Sequence, residues 1–280
     1  MPELPEVETI ARGLQNKVSG KTIQDIRVRY SKIFRDCCGQ PYLEEERKQL
    51  IASLTGKTIK AVTRRAKYLL FDLGDILLVS HLRMTGRFSS DPEYVDKKHT
   101  HVVLTFTDGS VLSYNDTRKF GTIQIITCEE ERLKTTMSRS GIEPLSDAFS
   151  ADYLFDMLKQ SKRNIKAFLL TQESIAGIGN IYADEILFFA AIDPKRRANS
   201  ISEEEAIKLH RGIKEKLMMG IASGGASILT YVNESGDKGA FQELLQVYGK
   251  KGCHCQICNQ KLLTETVAAR TTTYCPYCQT

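Results

Sequence analysis

Four cysteines near the end of the chain fall into two pairs, Cys255-x2-Cys258 and Cys275-x2-Cys278, with sixteen residues between them. Two thiolates three positions apart chelate from one tight turn, and two such turns converge on one tetrahedral ion, for which zinc is the expected metal. The intervening segment is rich in Thr and Val and has the length of a β-hairpin. So short a ribbon has no core of its own, and the metal would supply its folding energy. Four sulfur ligands leave no position for water, so the ion is expected to be structural. Cys253 and His254, just ahead of the first pair, are competing ligands by position, but the paired spacing favours the other four. Cys37, Cys38, Cys128 and Cys253 carry no assigned role.

At the other end stands Met1-Pro2-Glu3. Removal of the initiator methionine would expose a secondary amine followed at once by a carboxylic acid. An α-amino group has a reference pKa near 8, about two units below lysine, so a useful fraction is nucleophilic at neutral pH. Attack on a sugar aldehyde carbon gives an iminium ion, an electron sink that labilises neighbouring C–H and C–O bonds. Glu3 could act as the general acid, a task that burial would assist by raising its pKa. Proline after the initiator is equally ordinary in proteins that do no such chemistry, and these three residues alone do not decide. Asn180 follows the turn Gly177-Ile178-Gly179 and is expected to cap a helix, a place where free N–H groups and the helix dipole favour phosphate.

The elements that would hold these residues change character along the chain. Ile10 to Gly20 reads as a short amphipathic helix, and Lys21 to Tyr114 as antiparallel β-structure. Hairpins are expected in YLLFDLGDILLVSHL, turning at Gly74 and Asp75, and in HVVLTFTDGSVLSY, turning at Asp108 and Gly109. From about Ser146 the period becomes helical, near Asp147 to Gln160, Ile165 to Leu170, Tyr182 to Ala190 and Ser202 to Ser223. A loop of small and polar residues from Gly224 to Gly239 then leads into the cysteine-bearing tail.

With 280 residues, 41% of them hydrophobic, the chain is long enough for two or three compact units. Its formal net charge of +5 suits a polyanionic partner without requiring one. No apolar run reaches the roughly 18 residues of a membrane helix, and the start has no basic and apolar export pattern, so an intracellular protein is expected.

The string MPELPEVET resembles the start of the formamidopyrimidine-DNA glycosylases, bacterial enzymes that remove 8-oxoguanine and ring-opened purines. The resemblance continues, in the family's order, through RRAKYLL (Arg64 to Leu70), HLRMTGR (His81 to Arg87), KHTHV (Lys98 to Val102), NDTRKFG (Asn115 to Gly121), GIGNIYADE (Gly177 to Glu185), TYVNESG (Thr230 to Gly236) and RTTTYCPYCQ (Arg270 to Gln279). It implies an α+β multidomain fold: an antiparallel β-sandwich over 1–135, a helix-two-turn-helix domain with a lesion-capping loop over 136–240, and a zinc-ribbon hairpin over 241–280. The implied activity is glycosylase followed by abasic-site lyase with β,δ-elimination, on double-stranded DNA containing oxidised purines or abasic sites. One structural zinc, a monomer and a place at the bacterial nucleoid in the cytoplasm go with it.

By the same resemblance Pro2 is the Schiff-base nucleophile, Glu3 the acid, and Glu6 a support for the N-terminus. Lys67 would donate a proton at β-elimination and contact phosphates. Arg270, five residues before Cys275, would grip phosphate and assist δ-elimination. His99, Lys162, Arg163 and Asn180 would contact the DNA backbone. Extruding a base leaves a hole beside its orphaned partner. Met84 and Phe120 would fill it as apolar wedges, while Arg118 hydrogen-bonds the unpaired cytosine. Backbone amides around Ser227 to Tyr231, in the loop Ala226 to Gly239, would close on the base. Arg83 departs from the family by standing where glycine is frequent.

Two other readings compete. An enzyme similar to endonuclease VIII, acting on oxidised pyrimidines, is disfavoured by Leu4 and by the Met84, Arg118, Phe120 trio. A non-catalytic zinc-ribbon protein that binds damaged DNA is disfavoured by Pro2, Glu3, Lys67 and Arg270, since binding alone needs no free amine.

Overall fold

The computed structural model describes residues 1–135, 137–227 and 236–280, the side chains at 132–134 excepted. The chain divides into two compact units, Met1–Arg139 with Gly224–Gly239, and Ser140–Ser223 with Ala240–Thr280.

The first unit opens with helix α1 (Leu4–Val18), whose Leu4, Val7, Ile10, Ala11, Leu14 and Val18 form one buried stripe. The helix begins six residues earlier than its periodicity suggested. Pro5 does not break it, because a proline in the first turn lacks only an N–H that would be unpaired there anyway. Among the described residues nine strands follow: β1 (Ile23–Val28), β2 (Phe34–Arg35), β3 (Ala61–Arg65), β4 (Tyr68–Asp72), β5 (Leu77–His81), β6 (Gly86–Ser89), β7 (Thr100–Phe106), β8 (Val111–Asp116) and β9 (Thr122–Ile126). They make two sheets, in the orders β1-β7-β8-β6 and β2-β9-β5-β4-β3. All of these pairings are antiparallel except the two-residue contact of β2 with β9.

The sheets share one core. Leu69, Phe71 and Leu78 of one sheet and Phe88, Leu104 and Tyr114 of the other are buried together with the apolar face of α1. The rings of Phe71 and Phe88 lie 5.2 Å apart across that core. Both expected hairpin turns are present, with Gly74 at φ +98° and Gly109 at φ +81°, the left-handed conformations that glycine adopts without steric cost. Helices α2 (Glu44–Ala52) and α3 (Glu129–Lys134) lay outside the sequence reading. α2 buries no residue, so it carries no apolar stripe to detect.

The second unit contains α4 (Ala151–Lys159), α5 (Ile165–Leu170), α6 (Asn180–Phe189), α7 (Glu203–Ala222), and the hairpin of β10 (Leu263–Val267) with β11 (Arg270–Tyr274). Their caps explain their starts. Ser150 accepts the Tyr153 N–H at 3.0 Å, and Asn164 accepts that of Ala167 at 2.7 Å. At α7, Ser202 Oγ accepts the Glu205 N–H at 3.2 Å while Glu205 Oε2 accepts the Ser202 N–H at 2.8 Å, a complete capping box. Between α5 and α6, the Gln172 side chain holds residues 171–179 by accepting the Gly177 N–H at 2.7 Å and donating to the Ile178 carbonyl at 2.6 Å. Among the described residues no helix is long and apolar enough to cross a membrane.

Candidate active site and DNA-contact residues

In the first unit the N-terminus is built around two buried carboxylates. Glu3 is 3% exposed and precedes α1 as its N-cap; Glu6, 2% exposed, sits in the first turn. Glu6 Oε2 accepts the Glu3 N–H at 2.8 Å, and Glu6 Oε1 accepts the Ala226 N–H at 2.8 Å. One side chain thus orients the residue next to Pro2 and ties down the start of the 226–239 loop. Pro2 itself is half-buried. The Met1 amino group, one residue ahead of the amine that Pro2 would expose, is held below the usual α-amino value, chiefly by burial. Glu3 and Glu6 oppose that shift, and the positive charges of Lys67 and Arg118 add to it. Both cations therefore act on the space at the N-terminus.

Lys67 is buried in the tight turn between β3 and β4, beside Ala66 at φ +53°. That turn is braced from α1: Arg64 Nε donates to Glu8 Oε2 at 2.9 Å, and Arg64 Nη1 donates to the Ala66 carbonyl at 3.1 Å. Burial alone would raise the Glu8 pKa, but the hydrogen bonds from Arg64 and Arg12 hold it below the usual carboxylate range.

His81 is a neighbour of Lys67 that the sequence reading passed over. It pairs with Tyr68 across β4 and β5, and the two rings stack edge to face at 4.7 Å. Burial, with the charges of Arg83 and Lys67, pushes its pKa down to about 3, so the ring is neutral. His81 Nδ1 accepts the Arg83 N–H at 3.0 Å, which leaves the proton on Nε2. Arg83 has φ +52°, a left-handed conformation that glycine adopts at less cost.

Met84, Arg118 and Phe120, the expected void fillers, lie on two loops of this unit. Met84 and Phe120 are 41% and 53% exposed, although both are large and apolar. The Arg118 guanidinium lies 4.7 Å from the centre of the Phe120 ring. His99 is half-buried. Of the loop expected to close on the base, residues 228–235 lie outside the described residues; Ser227 Oγ accepts the Gly239 N–H at 2.9 Å.

In the second unit Asn180 is the first residue of α6, and Gly179 is its N-cap. Asn180 is therefore not the cap that the sequence suggested, because glycine itself takes the extended cap conformation. The Asn180 side chain turns instead to the ribbon, Nδ2 donating to the Thr271 carbonyl at 3.0 Å, and its Oδ1 is buried with no partner among the described residues. Lys162 and Arg163 are exposed ahead of α5, and Arg163 pairs with exposed Glu173 at 2.9 Å.

Arg270 opens β11, exposed, directly after Ala268 and Ala269 at φ +53° and +56°. Two non-glycine residues in left-handed conformation form the two-residue turn that points this strand back. Beneath it, buried Lys166 donates to Asp184 Oδ1 at 2.5 Å and to Thr272 Oγ1 at 2.6 Å, while Asp184 Oδ2 accepts the Thr273 N–H at 3.1 Å. These bonds fix β11, and with it Arg270, to α5 and α6. Buried Glu185 does the same for the entry to the ribbon, accepting the N–H groups of Gln246, Val247 and Tyr248 at 2.9 to 3.0 Å.

The Sγ atoms of Cys255, Cys258, Cys275 and Cys278 lie within 4.8 Å of one another. Two of the separations are 3.8 Å (Cys255 to Cys278) and 3.5 Å (Cys258 to Cys275). A tetrahedron with metal–sulfur bonds of about 2.3 Å has edges of about 3.8 Å, so the four thiols fit one metal ion. Cys253 is exposed and outside the cluster.

Comparison with known proteins agrees with this geometry. Residues 1–123 match the family model for the formamidopyrimidine-DNA glycosylase N-terminal domain, and 140–232 that for the formamidopyrimidine-DNA glycosylase H2TH domain. A formamidopyrimidine-DNA glycosylase of Shouchella clausii (strain KSM-K16) is 44% identical over 280 residues, covering 100% of this chain and 99% of the relative. Among solved structures, the Lactococcus lactis Fpg in complex with DNA containing an abasic site superimposes with a TM-score of 0.88 at 38% identity, covering 99% of both chains. A MutM in complex with DNA containing carbocyclic 8-oxo-G gives a TM-score of 0.88 at 38% identity, again over 99% of each chain.

Proposed function

Since the chain belongs to the formamidopyrimidine-DNA glycosylase family, we propose that it excises oxidised purines, 8-oxoguanine and formamidopyrimidines, from duplex DNA and then cleaves the strand at the abasic site. The observation that carries this reading is the desolvated N-terminus, where burial and the charge of Lys67 hold the Met1 amino group below its usual value and Glu3 is buried directly after Pro2. With Met1 removed, the Pro2 nitrogen attacks C1′ of the damaged nucleotide. The glycosidic bond breaks, the attacking nitrogen loses its proton, and the C1′–O4′ bond opens to give the iminium, with Glu3 delivering a proton to the departing base or to O4′. The iminium so formed drains electrons from C2′, a proton leaves that carbon, and the 3′-phosphate departs by β-elimination with Lys67 supplying the proton it needs. Arg270 stabilises the second phosphate as it leaves by δ-elimination.

Three functional parts follow: residues 1–135 carry the catalytic groups, 136–240 grip the DNA backbone, and 241–280 present Arg270 on a ribbon. Glu6 supports the N-terminus; Met84, Arg118 and Phe120 fill the hole left by the base; His99, Lys162, Arg163 and Asn180 hold phosphates. One zinc ion, held by Cys255, Cys258, Cys275 and Cys278, supplies folding energy to the ribbon and takes no part in the reaction. The enzyme would act as a monomer on bacterial DNA in the cytoplasm.

The two steps should come apart in one variant. Glu3→Gln, assayed on duplexes containing 8-oxoguanine opposite cytosine, should lose roughly 10²- to 10⁴-fold in base release, the usual worth of a general acid. It should still nick a preformed abasic site, where the aldehyde already exists. Equal loss on both substrates would contradict the role given to Glu3.

A further inference from the structure

Met84 lies on the loop between β5 and β6, and Arg118 and Phe120 lie on the loop between β8 and β9. Beneath both loops is the fully buried carboxylate of Asp116. Its Oδ1 accepts the Thr85 hydroxyl from the first loop and the Arg118 N–H, at 3.1 Å, from the second. Its Oδ2 accepts the Gly121 N–H at 2.8 Å, so both ends of the Arg118 to Gly121 segment end on one side chain. Thr85 completes the link, because its hydroxyl oxygen also accepts the Arg118 N–H at 3.2 Å. The Asp116 backbone is fixed in turn, its N–H donating to the His99 carbonyl at 3.0 Å and its carbonyl accepting from His101 Nε2 at 2.7 Å.

A second observation comes from the glycines that flank the trio. A Cβ at Gly121 would lie 1.7 Å from the Tyr114 hydroxyl oxygen, and one at Gly86 would lie 2.4 Å from that same atom. Both loops are therefore pressed onto Tyr114. Burial, then the Asp116 charge, drives the Tyr114 pKa far up and keeps it a neutral phenol. The contacts give the two loops a single relative placement.

We propose that Asp116, acting through Thr85, is the positioning residue that couples the Met84 loop to the Arg118–Phe120 loop, and that it thereby determines discrimination for cytosine as the opposite base. The proposal rests on the reading of the trio as void fillers. A wedge and a cytosine reader must enter the stack in fixed register, since a hydrogen bond to a base edge is lost when its donor moves by about an ångström. A carboxylate bridging both loops provides that register. A neutral amide could not do so, because it accepts on one atom only and would turn its NH₂ group toward an N–H or O–H donor.

The test compares the rates of 8-oxoguanine excision opposite cytosine and opposite adenine, alongside incision of a preformed abasic duplex, in Thr85→Val, Asp116→Asn and Arg118→Ala. Thr85→Val removes one hydroxyl at nearly constant volume, so it reads the coupling even if Asp116→Asn does not fold. The preference for cytosine should fall by about tenfold or more in each variant, the worth of hydrogen bonds to a charged group. Abasic incision should stay close to the parent's in Thr85→Val, and Thr85→Val should cost no further discrimination when added to Arg118→Ala. Loss of discrimination in Arg118→Ala but not in Thr85→Val would overturn the coupling alone. Discrimination retained in Arg118→Ala would overturn the reading of Arg118 on which it rests. A parallel fall in both activities together with melting temperature would make Asp116 a fold residue and overturn the proposal as well.

Discussion

At the scale of single residues, the chemistry depends on an amine that is nucleophilic near neutral pH, and the surroundings of the N-terminus act in that direction. Burial lowers the pKa of the Met1 amino group, with Lys67 and Arg118 adding to the effect against Glu3 and Glu6, and the Pro2 nitrogen exposed by Met1 removal is expected to meet the same charges. A protonated amine has no lone pair to attack with, so the rate of Schiff-base formation on abasic DNA should rise with pH and level off below the ordinary α-amino value of about 8. A midpoint at or above that value, in initial-rate trapping over a pH series, would mean that the pocket does not act on the reacting nitrogen. The four paired cysteines were legible in the sequence because their convergence follows from residue type and spacing, whereas Pro2 and Glu3 stood out only as a possible pair and took their expected roles from the family resemblance. His81, the Arg64 to Glu8 brace and Asp116 were not, since each works through a contact between strands or between helix and turn that no local pattern records.

Among the elements, the hairpins around Gly74 and Gly109 and the helices α5 and α7 could be read from turn chemistry, caps and apolar spacing. The first six residues of α1 could not. Its cap is a glutamate pair rather than Ser or Thr, and Pro5 resembles a stop when it is tolerated in a first turn. The buried pair of Lys166 and Asp184 was also hidden, because it joins α5 to α6 and, through Thr272 and Thr273, ties both to the distant β11. Removing one partner leaves the other as an unpaired buried charge, which costs about 3–5 kcal/mol. Lys166→Met should therefore melt the second unit at a visibly lower temperature and weaken DNA affinity through Arg270. Adding Asp184→Leu should restore much of the stability. Calorimetry of the two variants checks this, and a single variant as stable as the parent would mean that the pair does not hold β11.

Over the whole molecule, the chain carries a formal net charge of +5. Its second compact unit interrupts its first in sequence, since Gly224–Gly239 packs in the same unit as Met1–Arg139. The Glu6 to Ala226 hydrogen bond is one physical reason for that return. It could not be read from the sequence, where Ala226 simply follows a helix. The bond also places the root of the 226–239 loop on the carboxylate that orients Glu3, so loop and acid share one support. The proposed reaction depends first on the identity of the nucleophile. Borohydride trapping on a duplex with a preformed abasic site should give one covalent adduct with the processed chain and none when the Pro2 nitrogen is acetylated, while duplex binding persists. Trapping of the acetylated chain at the parent rate would contradict this, and would move the nucleophile to a lysine, Lys67 first.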